Sequence, residues 1–183
     1  AVLEQRGTMQ VNGQVSNRGR LVVAGPMIGM YGFNNSGDVH IQAGGSIEGS
    51  PGGWFWHSAG ELKVDGLLVA DDIRIFGGNL SGNGRVQGSL STNGPIGPGG
   101  SIGVLTVDGN LNAGGEINLE IASASDYDRL VVNGNATFRS GLRFQLLGDY
   151  RPTLGDSFSA LAVSGASSYL GGWRIERETG FGE

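Results

Sequence analysis

Pro98-Gly99-Gly100-Ser101-Ile102-Gly103 leads into Leu105-Thr106-Val107-Asp108-Gly109-Asn110-Leu111, and Leu130-Val131-Val132-Asn133-Gly134-Asn135-Ala136 repeats that second pattern. Asp126-Tyr127-Asp128 separates the two copies. Gly141-Leu142-Arg143-Phe144-Gln145-Leu146 and Leu154-Gly155-Asp156-Ser157-Phe158 follow before Leu161. Apolar residues fall at every second position in pieces of three to six, which places them on one face of a strand. Gly, Asn or Asp ends each piece, and Asn-Gly and Asp-Gly are expected to supply the positive φ angles of tight turns.

Working outward, the motif apolar–any–Val–Asn/Asp–Gly–any–apolar occurs four times: Met9 to Val15, Leu62 to Leu68, Leu105 to Leu111 and Leu130 to Ala136. The starts suit two coils, two coils and one coil of a solenoid with roughly 20 to 27 residues per turn. Inward-facing positions are read at Val11, Val15, Leu21 and Val23, and then at Leu62, Val64, Leu68, Ile73, Ile75, Leu80 and Val86. Two stretches interrupt the pattern. Residues 25–36 hold Met27, Met30, Tyr31 and Phe33, and residues 49–58 hold Trp54-Phe55-Trp56-His57. Both are expected to be aromatic insertions. The Gly/Ser/Pro/Asn-rich run from Ser89 to Gly103 lies between patterned segments and is read as a tight corner, leaving one domain over 1–183.

Composition narrows the fold class. Gly supplies 36 of 183 residues, about a fifth against roughly 7% in ordinary proteins. No three-residue Gly period is present, so collagen is excluded. With 38% hydrophobic residues in periodic arrangement, disorder fits poorly. Gly and β-branched residues break every incipient helical period. The sequence predicts an all-β, right-handed parallel β-helix, in which coils too small to bury their own apolar face stack at about 4.8 Å and share one long core. An antiparallel β-sandwich is the alternative, although its strands are usually longer and more regularly spaced.

Net charge is −5 and no basic cluster occurs, so no nucleic-acid partner is expected. No apolar run approaches the roughly 20 residues of a membrane helix, so membrane insertion of this segment is not expected. Cys is absent, a weak indication of compartment. No signal peptide is visible, and the chain is read as a mature form or an excised fragment.

The segment 94–163 resembles the end of bacterial autotransporter passenger domains and related secreted β-helical surface proteins. The resemblance is carried by Pro98-Gly99-Gly100-Ser101-Ile102-Gly103, Leu105-Thr106-Val107-Asp108-Gly109, Asp126-Tyr127-Asp128-Arg129-Leu130, Val132-Asn133-Gly134 and Tyr150-Arg151-Pro152-Thr153-Leu154-Gly155-Asp156-Ser157-Phe158. It implies a right-handed β-helix exported to the extracellular space or the bacterial cell surface. Nothing in the chain corresponds to the membrane barrel that follows a passenger, so the barrel is cut away or export runs differently. The resemblance is nearly silent on activity, because fold does not carry function.

Candidate sites are few. Asp126 and Asp128 alternate, so they could share one strand face and hold Ca²⁺ with nearby carbonyls; otherwise they are turn-capping residues. Other cofactors and metals are not expected. Asp71/Asp72 and Asp149/Asp156 are the remaining paired carboxylates. His40 is read as outward, between inward Val39 and Ile41, and His57 lies in the second aromatic stretch. No Gly-x-Ser-x-Gly element accompanies them, so no catalytic residues are assigned and a non-enzymatic protein is expected. Trp54 and Trp56 should share one face and Phe55 the other. Together with Met30, Tyr31 and Phe33 they are the candidates for contact with neighbouring subunits or surface glycans, or for capping the solenoid. The expected function is a structural or adhesive β-solenoid: a stalk, adhesin segment or fibre-forming subunit that self-associates. The alternative is a carbohydrate-binding or polysaccharide-processing β-helix, strengthened if Asp71 or Asp72 aligns with the tryptophans.

Overall fold

The computed structural model describes residues 2–177, which form a parallel β-solenoid with no helix among them. Strands alternate between two sheets as the chain winds. Val2–Gln5, Arg20–Val23, Asp38–Ile41, Glu61–Val64, Asn79–Gly82, Ile96–Pro98, Ile117–Ile121, Leu142–Leu146 and Trp173–Arg177 make the first sheet, in that order. The second sheet begins with five long strands, Met9–Asn17, Pro26–Asn35, Ser46–His57, Leu67–Ile75 and Arg85–Thr92. Later coils break the same path at a corner into Val104–Asp108 with Leu111–Ala113, Arg129–Val132 with Ala136–Phe138, and Leu161–Val163 with Ser167–Tyr169. Every ladder between these strands is parallel, which removes the sandwich alternative. Short segments of 3 to 12 residues could not stand alone; each is held by neighbouring coils.

In-register side chains form the core columns. On the first sheet Leu21, Val39, Leu62, Leu80, Ile96 and Ile117 lie one above another, all buried. On the second, Met27, Ile47, Leu68, Val86, Val107 and Val132 do the same. A further column runs Val15, Phe33, Phe55, Ile73, Leu90 and Leu111, where Phe33 and Phe55 stack with centroids 5.0 Å apart.

Coil length is less regular than the motif spacing suggests. It runs from sixteen residues between Leu80 and Ile96 to thirty-one between Leu142 and Trp173. Leu105 to Leu111 does stack on Leu130 to Ala136, and Val15 ends the first copy in the Leu111 column. The Leu62 copy lies one corner earlier, with Leu62 in the first sheet and Leu68 in the second. Both corners use Asp-Gly between a valine and an apolar residue, so the motif marks a corner without saying which. Four corner glycines also differ from expectation, because positive φ is found at Gly13 and Gly109 but not at Gly66, Gly84, Gly94 or Gly134. A Cβ on Gly134 would run into the carbonyl of Gly109 in the coil below, so close stacking demands the glycine there.

The expected insertions are also corrected. Residues 26–35 are a ten-residue strand and 46–57 a twelve-residue strand. Only the run between Glu48 and Trp54 is inserted, pairing against Val69 and Asp72 with three more residues than its neighbour.

Candidate functional site

The outer surface of Ser46–His57 carries the most distinctive chemistry. Trp54 and Trp56 share one face and Phe55 takes the other, as read from the sequence; the structure turns Phe55 into the core and leaves the two tryptophans half-buried outside. Their rings lie 4.3 Å apart at 33°, and Phe76 meets Trp56 edge-on at 6.1 Å. Trp54 lies over Gly32 of the preceding coil, where a Cβ would collide with the indole. On the following coil Asp72 pairs in register with Trp54, and Arg74 with Trp56. The Arg74 Nε donates to Asp72 at 3.0 Å. Asp71 caps the inserted run by accepting Gly52 N–H at 2.6 Å, and Ser50 Oγ donates to Gly29 O at 2.9 Å. Trp56 Nε1 is buried without a hydrogen-bond partner among the described residues, beside a groove of about 360 Å³ lined by Ser16, Asn34, Trp56 and Phe76.

The six aromatic and methionine candidates therefore divide. Trp54, Trp56 and the exposed Tyr31 are outside. Met30, Phe33 and Phe55 are 1% exposed or less, so these three pack the core and cannot touch a partner. Capping of a solenoid end is not their role either, since coils stack on both sides of them.

His57 belongs to an internal ladder that alternation alone did not reveal. Asn17, Asn35 and His57 are register neighbours. Asn17 Nδ2 donates to Asn35 Oδ1 at 2.7 Å, and Asn35 Nδ2 lies 2.6 Å from His57 Nδ1. His57 Nε2 then reaches Gly60 O at 3.2 Å. The bonding fits a neutral ring protonated on Nε2, and burial lowers its pKa below the ordinary value despite the Gly60 carbonyl. The next residues up the column are Ile75 and then Thr92, so the ladder ends where a hydrocarbon replaces the imidazole.

Asp126 and Asp128 do not share a face. Asp126 is exposed and Asp128 is buried, accepting backbone N–H groups from Gly103 and Glu120 at 2.8 Å each. These are turn-closing bonds, and burial still pushes the Asp128 carboxyl up to about 6. Asp156 closes another turn, accepting Tyr150 Oη–H and Thr153 N–H at 2.8 Å each. Among the described residues no three His, Cys, Asp or Glu side chains come together. His40 points outward as read, and its Nε2 lies 2.7 Å from Asp65 Oδ2 one coil on, a pairing that only the coil length could disclose. Among the described residues no helix is long and apolar enough to cross a membrane.

No protein-family model, no curated protein and no solved structure matches the chain.

Proposed function

We propose that this chain is a non-enzymatic structural and adhesive β-solenoid of the bacterial exterior that stacks end to end on copies of itself. The observation that carries this reading is the state of the terminal rungs. Among the described residues no strand pairs with the outer edge of Val2–Gln5, and none with that of Trp173–Arg177. Val2 and Leu3 are 65% and 61% exposed, and Trp173 and Ile175 are 69% and 57% exposed. An apolar groove of about 440 Å³ opens among Phe138, Leu142, Leu161, Val163 and Trp173. In this reading the first rung of a second copy serves as the next parallel rung. Such a contact is heterologous and repeats into a filament. The passenger-like residues of 94–163 support placement outside the cell.

Sedimentation velocity and electron microscopy test the reading. Concentration-dependent rods are expected, and Leu3→Lys or Trp173→Lys should shorten them. A chain that stays monomeric at high concentration removes it.

A second reading, glycan contact through the outer aromatic face, is favoured by the alignment of Asp72 with Trp54. A half-buried indole beside a carboxylate and a guanidinium suits a sugar ring and its hydroxyls. Screening against a glycan array should then show binding that Trp54→Ala abolishes; an array without signal ends this reading.

A further inference from the structure

The outer side of the first sheet carries a second, chemically different feature. His40, Lys63, Ser81 and Gly97 occupy one outward column on successive rungs, so the side chains shrink along it and leave a hollow. A loop walls the hollow on one side. Gly82 and Gly99 exchange backbone hydrogen bonds of 2.9 and 2.8 Å in an antiparallel bridge, turning the chain back over the sheet. Gly103 N–H is held by Asp128, and Val104 N–H by Asn83 at 3.1 Å. The resulting depression, broadly open to solvent, has a volume of about 570 Å³ and is lined by His40, Gln42, Lys63, Asp65, Asn83 and Ser101, with Gly100 at its edge. A Cβ on Gly100 would sit 2.8 Å from Lys63 Nζ, so the glycine lets the ammonium lie against the loop.

Asp65 is already engaged. Its Oδ2 meets His40 Nε2 at 2.7 Å and Lys63 Nζ at 3.6 Å, and its Oδ1 accepts Asn83 N–H at 3.1 Å. Three side chains remain to meet a ligand: the remaining Lys63 hydrogens, which only donate, and the Gln42 amide and Ser101 hydroxyl, which both donate and accept. We propose that this hollow binds an acidic saccharide unit, with Lys63 holding its carboxylate and Gln42 and Ser101 its hydroxyls. The volume falls in the range of small-molecule sites and exceeds what an inorganic anion fills. One ammonium beside a carboxylate does not hold a dianion. The lining has no side chain more apolar than the Ala43 methyl, and the rungs beneath are paired on both sides, so neither apolar side chains nor an added peptide strand find a place. The site is independent of end-to-end stacking and extends the adhesive role to a stated ligand class.

Calorimetric titration of the full chain with a galacturonate trisaccharide, a neutral galactose trisaccharide and inorganic phosphate tests it. The acidic trisaccharide should bind and weaken with added salt. Lys63→Gln should cost about tenfold, as loss of a charged hydrogen bond does. Gly100→Ala, which displaces the ammonium while keeping it, should cost less, and Trp54→Ala should cost nothing. Equal affinity for the neutral sugar, competition by phosphate, absence of binding, or loss on Trp54→Ala each overturns the assignment.

Discussion

The middle coils and the last ones are built from similar residues and reach different states. Leu62, Leu80, Val107 and Leu119 are wholly buried, with rungs above and below. In the terminal region Leu142, Phe144, Leu161 and Val163 are only half-buried, and Trp173 and Ile175 lie open. Alternation is the same in both places. A solenoid rung buries its apolar face only against the next rung, so burial depends on position in the stack rather than on local hydrophobicity. The early coils differ again, because their corner carries the Asn17–Asn35–His57 ladder where later coils place Ile75, Thr92, Ala113 and Phe138.

Truncation in each region sharpens the contrast most. Leu62→Ala should cost about 2–5 kcal/mol, the usual range for a filled core position. Ile175→Ala, being surface-exposed, should stay within roughly 0.5 kcal/mol. Urea unfolding midpoints decide; equal losses would mean that the last rung is as well packed as the middle.

Acid titration compares the early corner with the Asp128 turn, and the two run in opposite directions. The lowered His57 pKa contributes stability that is present above 6.5 and lost as pH falls. Asp128, raised from 3.8 to about 6, contributes stability that is fully present below 3.8 and lost as pH rises through about 6. That second contribution is at most roughly 3 kcal/mol. Asp128→Asn should therefore make stability fall more steeply from pH 7 to pH 5 than in the unaltered chain. Matching slopes in thermal melts would show that the Asp128 shift is small.

Substitutions at a corner compare backbone strain with a single hydrogen bond. Gly109 has φ +150°, and its Cβ would meet the Gly88 carbonyl. Gly109→Ala should cost of order 1–3 kcal/mol from the backbone alone. Asn110→Ala beside it should cost about 1 kcal/mol, since it removes one hydrogen bond, to Asn135 N–H. Similar melting temperatures for the two variants would argue that the corner relaxes.

Much of the solenoid was legible because strand alternation is local. The inward positions from Leu62 to Val86, the outward setting of His40 and the placing of Trp54 and Trp56 on the face opposite Phe55 need only a period of two. The stretches around Met30 and Phe55 were misread as insertions because their Gly and aromatic residues obscure an alternation that Phe33 and Phe55 in fact keep. The Asn35–His57 and His40–Asp65 pairs join residues one coil apart, and no local signal carries a coil length that varies from sixteen to thirty-one residues.

The sequence alone determined that short, one-faced strands separated by glycine must stack to find a core, since period-two patterning and turn chemistry act between near neighbours. Tertiary structure decided which residues meet across coils: Trp54 with Asp72, Asn35 with His57, and Lys63 with the 99–103 loop. Those meetings depend on register, and register is the accumulated outcome of every corner and bulge that precedes it.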